Sequence, residues 1–165
     1  MDDIKEQFDR IKRWYSRLKN LEDIKKFPTK EESLHVRNEY LDIAYAFFMN
    51  CYHMSDWIAK NRTGIKTMED PFLYAKNSNY LKFSYDICIA SKHLKINRAI
   101  VDKDISLERV FHQGAGSAKK SIRSMEYVAK YKDCLGNIHS MKLIDIATNC
   151  ISEWERFFKD EGIKV

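Results

Sequence analysis

Apolar residues recur every three or four positions in two long stretches near the start of the chain. This spacing puts them on one face of an α-helix and predicts helices over residues 3 to 25 and about 30 to 62. Pro28 separates the two helices, and Gly64 is a natural end for the second. The predicted core positions are Ile4, Phe8, Ile11, Tyr15, Leu18 and Leu21, followed by Val36, Tyr40, Ile43, Phe47, Met54 and Ile58.

The same spacing predicts two more helices, one from about residue 78 to 96 and one from residue 143 to Gly162. Between the second and third helices, residues 64 to 78 read as a connection with one helical turn in its middle. The apolar stripes comprise Leu81, Tyr85, Cys88 and Leu94, then Leu143, Ile146, Ala147, Cys150, Trp154 and Phe157.

Ahead of the last helix the apolar pattern changes to alternation, which is typical of a β-strand. Met125, Tyr127, Ala129 and Tyr131 alternate with polar residues, and "LGN" at 135–137 supplies a turn. Residues 98–113 mix β-branched and polar residues without a clear period. We therefore predict a mainly α (α+β) fold in a single domain over residues 1–165. It has four principal helices in a bundle and one β-hairpin at about 122–141, before the C-terminal helix.

Composition is that of an ordinary globular chain, with 44% hydrophobic and 32% charged residues. The N-terminal stretch is charged from its second residue and lacks an apolar run, so neither a signal peptide nor a membrane span is predicted. We expect a cytoplasmic protein. The four cysteines form no C-x-x-C pair, and reduced thiols are expected.

The net charge of +5 is unevenly distributed along the chain. Residues 92–132 contain ten Lys or Arg and four Asp or Glu, a net of +6, which leaves −1 for the remainder. Such a segment either attracts phosphates or is a solvated loop. The residues predicted to contact nucleic acid are Lys95, Arg98, Lys119, Lys120 and Arg123.

Polar residues interrupt the apolar faces of both middle helices. On the second helix Asn50 and Trp57 are seven apart and so return to within about 20° of each other, with His53 between them and Asp56 one step round. Asp86 and His93 are seven apart on the third helix, with Lys92 beside them. If the two helices are neighbours, these side chains converge.

A convergence of this kind has two interpretations. A histidine beside a carboxylate is a general base, and a lysine or second histidine stabilises charge developing on a phosphate, which suits phosphodiester cleavage. The candidate catalytic residues are then His53, Asp56, Asp86, Lys92 and His93. The other interpretation is a structural polar network that joins the helices. The paired Glu-x-x-His pattern of two-metal bundles is absent, and we predict no metal and no cofactor.

Four short motifs in this order resemble a widespread group of small, mostly uncharacterised bacterial helical proteins. They are "HMSDW" at 53–57, "DICIASKH" at 86–93, the turn "DCLGN" at 133–137 and "EWERFF" at 153–158. The likeness covers about residues 35 to 160. The group in turn resembles HEPN domains, helical bundles that often act as RNases in toxin and phage-defence systems. HEPN nucleases typically carry R-x(4-6)-H, and no arginine here has a histidine at that distance.

Two functions remain open at this point. The first is a HEPN-like protein that contacts RNA or another phosphate-bearing ligand, with metal-independent RNase activity at the two-helix cluster. The second is a non-catalytic interaction or assembly module, either a homodimer or a partner of another protein, whose polar cluster is structural.

Overall fold

The computed structural model describes residues 2–22, 30–61, 69–92, 99–113 and 122–165. This part of the chain is mainly helical and includes a small three-stranded antiparallel sheet, as the mainly α (α+β) prediction requires. The elements in chain order are α1 (Asp2–Glu22), α2 (Lys30–Lys60), α3 (Pro71–Asn77), α4 (Leu81–Lys92), β1 (Ser106–Gln113), β2 (Ile122–Lys132), β3 (Ile138–Lys142) and α5 (Leu143–Asp160).

The core lies where α1, α2, α4 and α5 meet each other and one face of the sheet. Trp154 of α5 is fully buried, and the ring of Phe8 in α1 meets that of Phe158 edge-on at 5.0 Å. All six predicted core positions of α5 are buried, as are four of the six in α1 and four of the six in α2. Helical periodicity therefore predicted most of the buried positions, because the apolar residues that repeat at helical spacing lie on the face that packs into the core.

Helix α3 extends over two turns where the sequence predicted a connection with one. Asp70 precedes it as the N-cap, and its carboxylate accepts hydrogen bonds from the backbone N–H groups of Phe72 and Leu73. Pro71 occupies the first helical position, where its fixed φ and missing N–H fit. The Tyr74 hydroxyl donates to the Glu153 carbonyl oxygen at 3.0 Å, which attaches α3 to α5.

The predicted β-hairpin is confirmed, since residues 128–132 of β2 pair antiparallel with residues 138–142 of β3. Its turn contains Gly136 at φ +84°, a conformation that glycine adopts without strain. The strand β1 was not predicted; it pairs antiparallel with β2 and completes the order β1-β2-β3. Tyr127 and Ala129 of β2 face the core, as their alternation predicted.

Hydrogen bonds mark the start of α4 and the end of α5. The Ser78 hydroxyl oxygen accepts from the N–H of Leu81 at 3.1 Å, so α4 begins three residues later than predicted. The predicted extension of this helix beyond residue 92 lies outside the described residues. Helix α5 ends before Gly162, at φ +66°, and the Ile163 N–H donates to the Phe158 carbonyl, as in a Schellman motif. Among the described helices, none is both long and apolar enough to cross a membrane.

Candidate functional site

Helices α2 and α4 lie side by side, and two tyrosines mark their contact. The ring of Tyr52 on α2 meets that of Tyr85 on α4 edge-on, with the ring centroids 5.4 Å apart. Ser55, one turn further along α2, donates its hydroxyl to the carbonyl oxygen of Pro71 at 3.3 Å. These contacts bring α2, α3 and α4 together at one place.

His53 and Asp56, predicted to lie together, form a hydrogen bond on the exposed side of α2. The distance from His53 Nδ1 to Asp56 Oδ2 is 3.0 Å, and the two side chains are 37% and 42% exposed. Their spacing of three residues places them on one helix face. The His53 ring also contacts the Tyr52 ring, at a centroid distance of 5.3 Å. The pair can therefore present an oriented imidazole to solvent beside the two tyrosines.

Asp86 is fully buried and has different partners. Its two carboxylate oxygens accept hydrogen bonds from three consecutive backbone N–H groups, those of Ile100, Val101 and Asp102, at 2.6 to 3.1 Å. Burial raises the pKa of this carboxyl, and the three N–H groups lower it in part. Among the described residues, no hydrogen bond or ion pair joins Asp86 to His53 or Asp56. The sequence expected these three to converge, and the contacts of Asp86 instead hold a loop.

Asn50, also in the predicted cluster, joins α2 to α1. Its amide nitrogen donates to the Ala46 carbonyl at 2.7 Å, and its amide oxygen accepts from Gln7 Nε2 at 3.2 Å. Gln7 is buried. Asn50 therefore contributes to helix packing.

The other predicted site residues lie at or beyond the limits of the described chain. Lys92 is the last residue of α4, and Arg123 lies on β2. His93, Lys95, Arg98, Lys119 and Lys120 fall outside the described residues. Within the basic segment, Lys130 is paired with Glu108 at 2.6 Å across β1 and β2, and this partner lowers the pKa of the glutamate. Part of the positive charge is therefore neutralised locally.

A pocket of about 150 Å³ opens where α2, α3 and α4 meet. Its lining combines an apolar floor, three aromatic rings and two lysines: Cys51, Tyr52, Ser55, Phe72, Ala75, Lys76, Leu81, Lys82, Tyr85 and Ile100. A cavity of this size accommodates one aromatic ring. Burial raises the pKa of Tyr52, aided by the negative charge of Asp56, so its hydroxyl remains a hydrogen-bond donor. The two lysines supply positive charge around an otherwise apolar space.

Sequence reasoning had not singled out these pocket residues as functional, although a signal was present. Tyr52 immediately precedes His53, and Tyr85 immediately precedes Asp86, so both tyrosines adjoin the polar motifs. Lys76 was assigned to the connection and Lys82 to the start of the third predicted helix. Recognising the pocket required knowing that α3 folds against α2.

No group of three His, Cys, Asp or Glu side chains suited to a metal ion occurs within the described ranges. Comparisons of the chain with protein-family models, with curated proteins and with solved structures find no match. The resemblance to HEPN domains therefore stays a prediction.

Proposed function

We propose that this protein binds RNA, or another phosphate-bearing ligand with a flat ring, at the pocket between α2, α3 and α4. The observation that carries the proposal is the combination of one ring-sized apolar cavity with Lys76 and Lys82 in its lining. A base turned out of a single strand stacks on aromatic side chains, while lysines attract the adjoining phosphates. Tyr52 and Tyr85 provide the aromatic surface.

A metal-independent RNase activity extends this proposal and is assigned to His53. Asp56 holds His53 through Nδ1, which leaves Nε2 available to remove a proton from a ribose hydroxyl. The contact between the His53 and Tyr52 rings puts this imidazole next to the pocket. A place in a toxin or phage-defence system, and a cytoplasmic location, follow only from the expectations drawn from the sequence.

A second candidate function is a non-catalytic interaction module, and Asp86 favours it. Of the predicted catalytic carboxylates, this one is fully engaged by backbone N–H groups and fully buried. A carboxylate that is committed in this way positions a loop and is not available to a substrate. On this reading the polar residues of α4 are structural.

Binding is tested with a short single-stranded RNA, by fluorescence anisotropy across a series of salt concentrations. Replacing both Lys76 and Lys82 with Glu should weaken binding at least about tenfold and lower the salt dependence by about two counterions, because each lysine contacts one phosphate. Lys159→Glu, an exposed change on α5, is the matched control and should retain affinity. Equal affinity of the double variant and the wild type, or binding that ignores salt, would contradict the proposal.

Cleavage is tested with the same RNA in the presence of a chelator. His53→Ala should reduce the rate by about 100-fold or more, because general-base catalysis contributes about that much, and should change the melting temperature little, because the side chain is half-buried and outside the core. His139→Ala, an exposed histidine on β3, should cleave normally. RNA that binds at the pocket but stays intact with the wild-type protein would favour the non-catalytic candidate.

A further inference from the structure

A second concave surface follows the outer side of the α1–α2 hairpin and shares no residue with the pocket described above. It is a groove of about 750 Å³ lined by Trp14, Arg17, Asn20, Leu21, His35, Asn38, Glu39, Asp42 and Ile43. Trp14, Leu21 and Ile43 are half-buried and pack against the core, and they form the apolar floor of the groove. Such a floor between two polar rims is typical of a protein interface.

The two rims of the groove carry opposite charge. On α1, Arg17 lines the groove and forms no ion pair with a described residue. The Arg17 guanidinium lies over the Trp14 ring, 4.7 Å from its centroid. On α2, Glu39 and Asp42 are exposed and likewise lack an ion pair with any described residue. One rim is therefore basic and the other acidic.

Contacts between α1 and α2 show which residues of the two rims lie at the same level, meaning the same position along the helix axes. Gln7 bonds to Asn50, and the Tyr15 ring contacts the Phe47 ring at 6.3 Å. Since the helices are antiparallel, these contacts place Arg17 level with residues 40–45. Asp42 is the acidic residue of that range in the groove.

We infer that this groove is the interface with a second copy of the chain. A two-fold axis parallel to the helices of the hairpin packs α1 of one copy against α2 of the other. This rotation leaves the position of every residue along the axis unchanged. Arg17 of each copy then faces Asp42 of its partner, and the apolar floors cover each other. An interface that is its own complement is what a two-fold dimer requires. RNA fits this groove poorly, because the acidic rim repels phosphate.

The inference is tested by exchanging the two charges and measuring molecular mass by sedimentation. Arg17→Asp and Asp42→Arg should each weaken the dimer at least about 100-fold, because each change puts like charges opposite one another twice in the symmetric interface. An equimolar mixture of the two variants should restore the dimer, since both contacts are then Asp against Arg. Lys19→Asp, on the same helix but facing away from the groove, is the control and should remain dimeric.

Circular dichroism establishes that each variant is folded, which is expected because both positions are exposed. A monomeric wild type at the highest soluble concentration would overturn the inference. So would single variants that dimerise like the wild type, or folded monomeric variants whose mixture stays monomeric. RNA binding at the pocket is measured separately, so failure of one proposal leaves the other standing.

Discussion

Asp86 and Val101 are joined by a hydrogen bond of 2.6 Å between a buried carboxylate and a backbone N–H. The flanking N–H groups of Ile100 and Asp102 bond to the same carboxylate. The Asp86 side chain therefore accepts hydrogen bonds from three consecutive backbone N–H groups, which lie in the segment between α4 and β1. Losing it would leave those three partly buried donors without their acceptor.

Replacing Asp86 with Ala should lower the free energy of unfolding by about 3 to 5 kcal/mol, because several charge-assisted hydrogen bonds disappear at once. Asp86→Asn should cost less, since one amide oxygen still accepts. Urea denaturation measures both. Asp104→Ala, an exposed change two residues after Asp102, should stay within about 0.5 kcal/mol of the wild type. An Asp86→Ala variant as stable as this control would show that the loop does not depend on the carboxylate.

The hairpin turn should contribute to the pH dependence of stability through Asp133. Hydrogen bonds from His139, Asn137 and Leu135 hold the pKa of this carboxyl far below its ordinary value of 3.8. A carboxyl whose pKa is lower in the folded state stabilises the fold above the ordinary value, and this contribution disappears as the pH falls through the lowered value.

An NMR titration of the Asp133 carboxyl carbon would check this directly. The midpoint should lie well below 3.8 in the wild type and rise in His139→Ala, because His139 makes the largest contribution to the shift. His53→Ala serves as the control and should leave the midpoint unchanged. An ordinary midpoint in the wild type would rule out the hydrogen-bonded turn.

Thiol chemistry should distinguish one cysteine from the other three. Cys134 is exposed in the hairpin turn, while Cys51, Cys88 and Cys150 are buried. Burial and the neighbouring Cys150 thiol raise the pKa of Cys51 well above its ordinary value, which suppresses the reactive thiolate. An Ellman reagent should therefore label one thiol quickly in the native protein and four after unfolding. Cys134→Ser should abolish the fast phase, and a fast phase that survives this change would contradict the described burial.

Periodicity in the sequence was sufficient to predict helices with a single buried face and the hairpin of two neighbouring strands. The apolar stripe of α5 from Leu143 to Phe157 predicted its buried face, and the sequence around Gly136 predicted the turn between β2 and β3. Strand β1 was not predicted, although it pairs with the next strand in the chain, because its own residues follow no clear apolar alternation. Asp70 and Pro71 did carry a helix-start signal for α3, which the sequence interpretation did not use.

The candidate site was predictable only in part, and Asp86 shows why. Spacing of three residues correctly brought His53 to Asp56, because both lie on one helix. Spacing also placed Asp86 on a polar face, but a helical wheel contains no information about which loop returns over that face. The pocket has the same limit, since Tyr52 and Tyr85 become neighbours only through the packing of α2 on α4.

The loop held by Asp86 also has a second attachment, on its other side. The carboxylate of Asp102 accepts the backbone N–H of Lys132 at 2.7 Å, so residues 100–102 connect α4 to the end of β2. Ile100, the first of these residues, lines the pocket. The wall of the pocket that contains Ile100 is therefore held by hydrogen bonds to both α4 and β2 in the absence of a ligand. Binding there should involve little ordering of that wall, so the affinity would benefit from preorganisation.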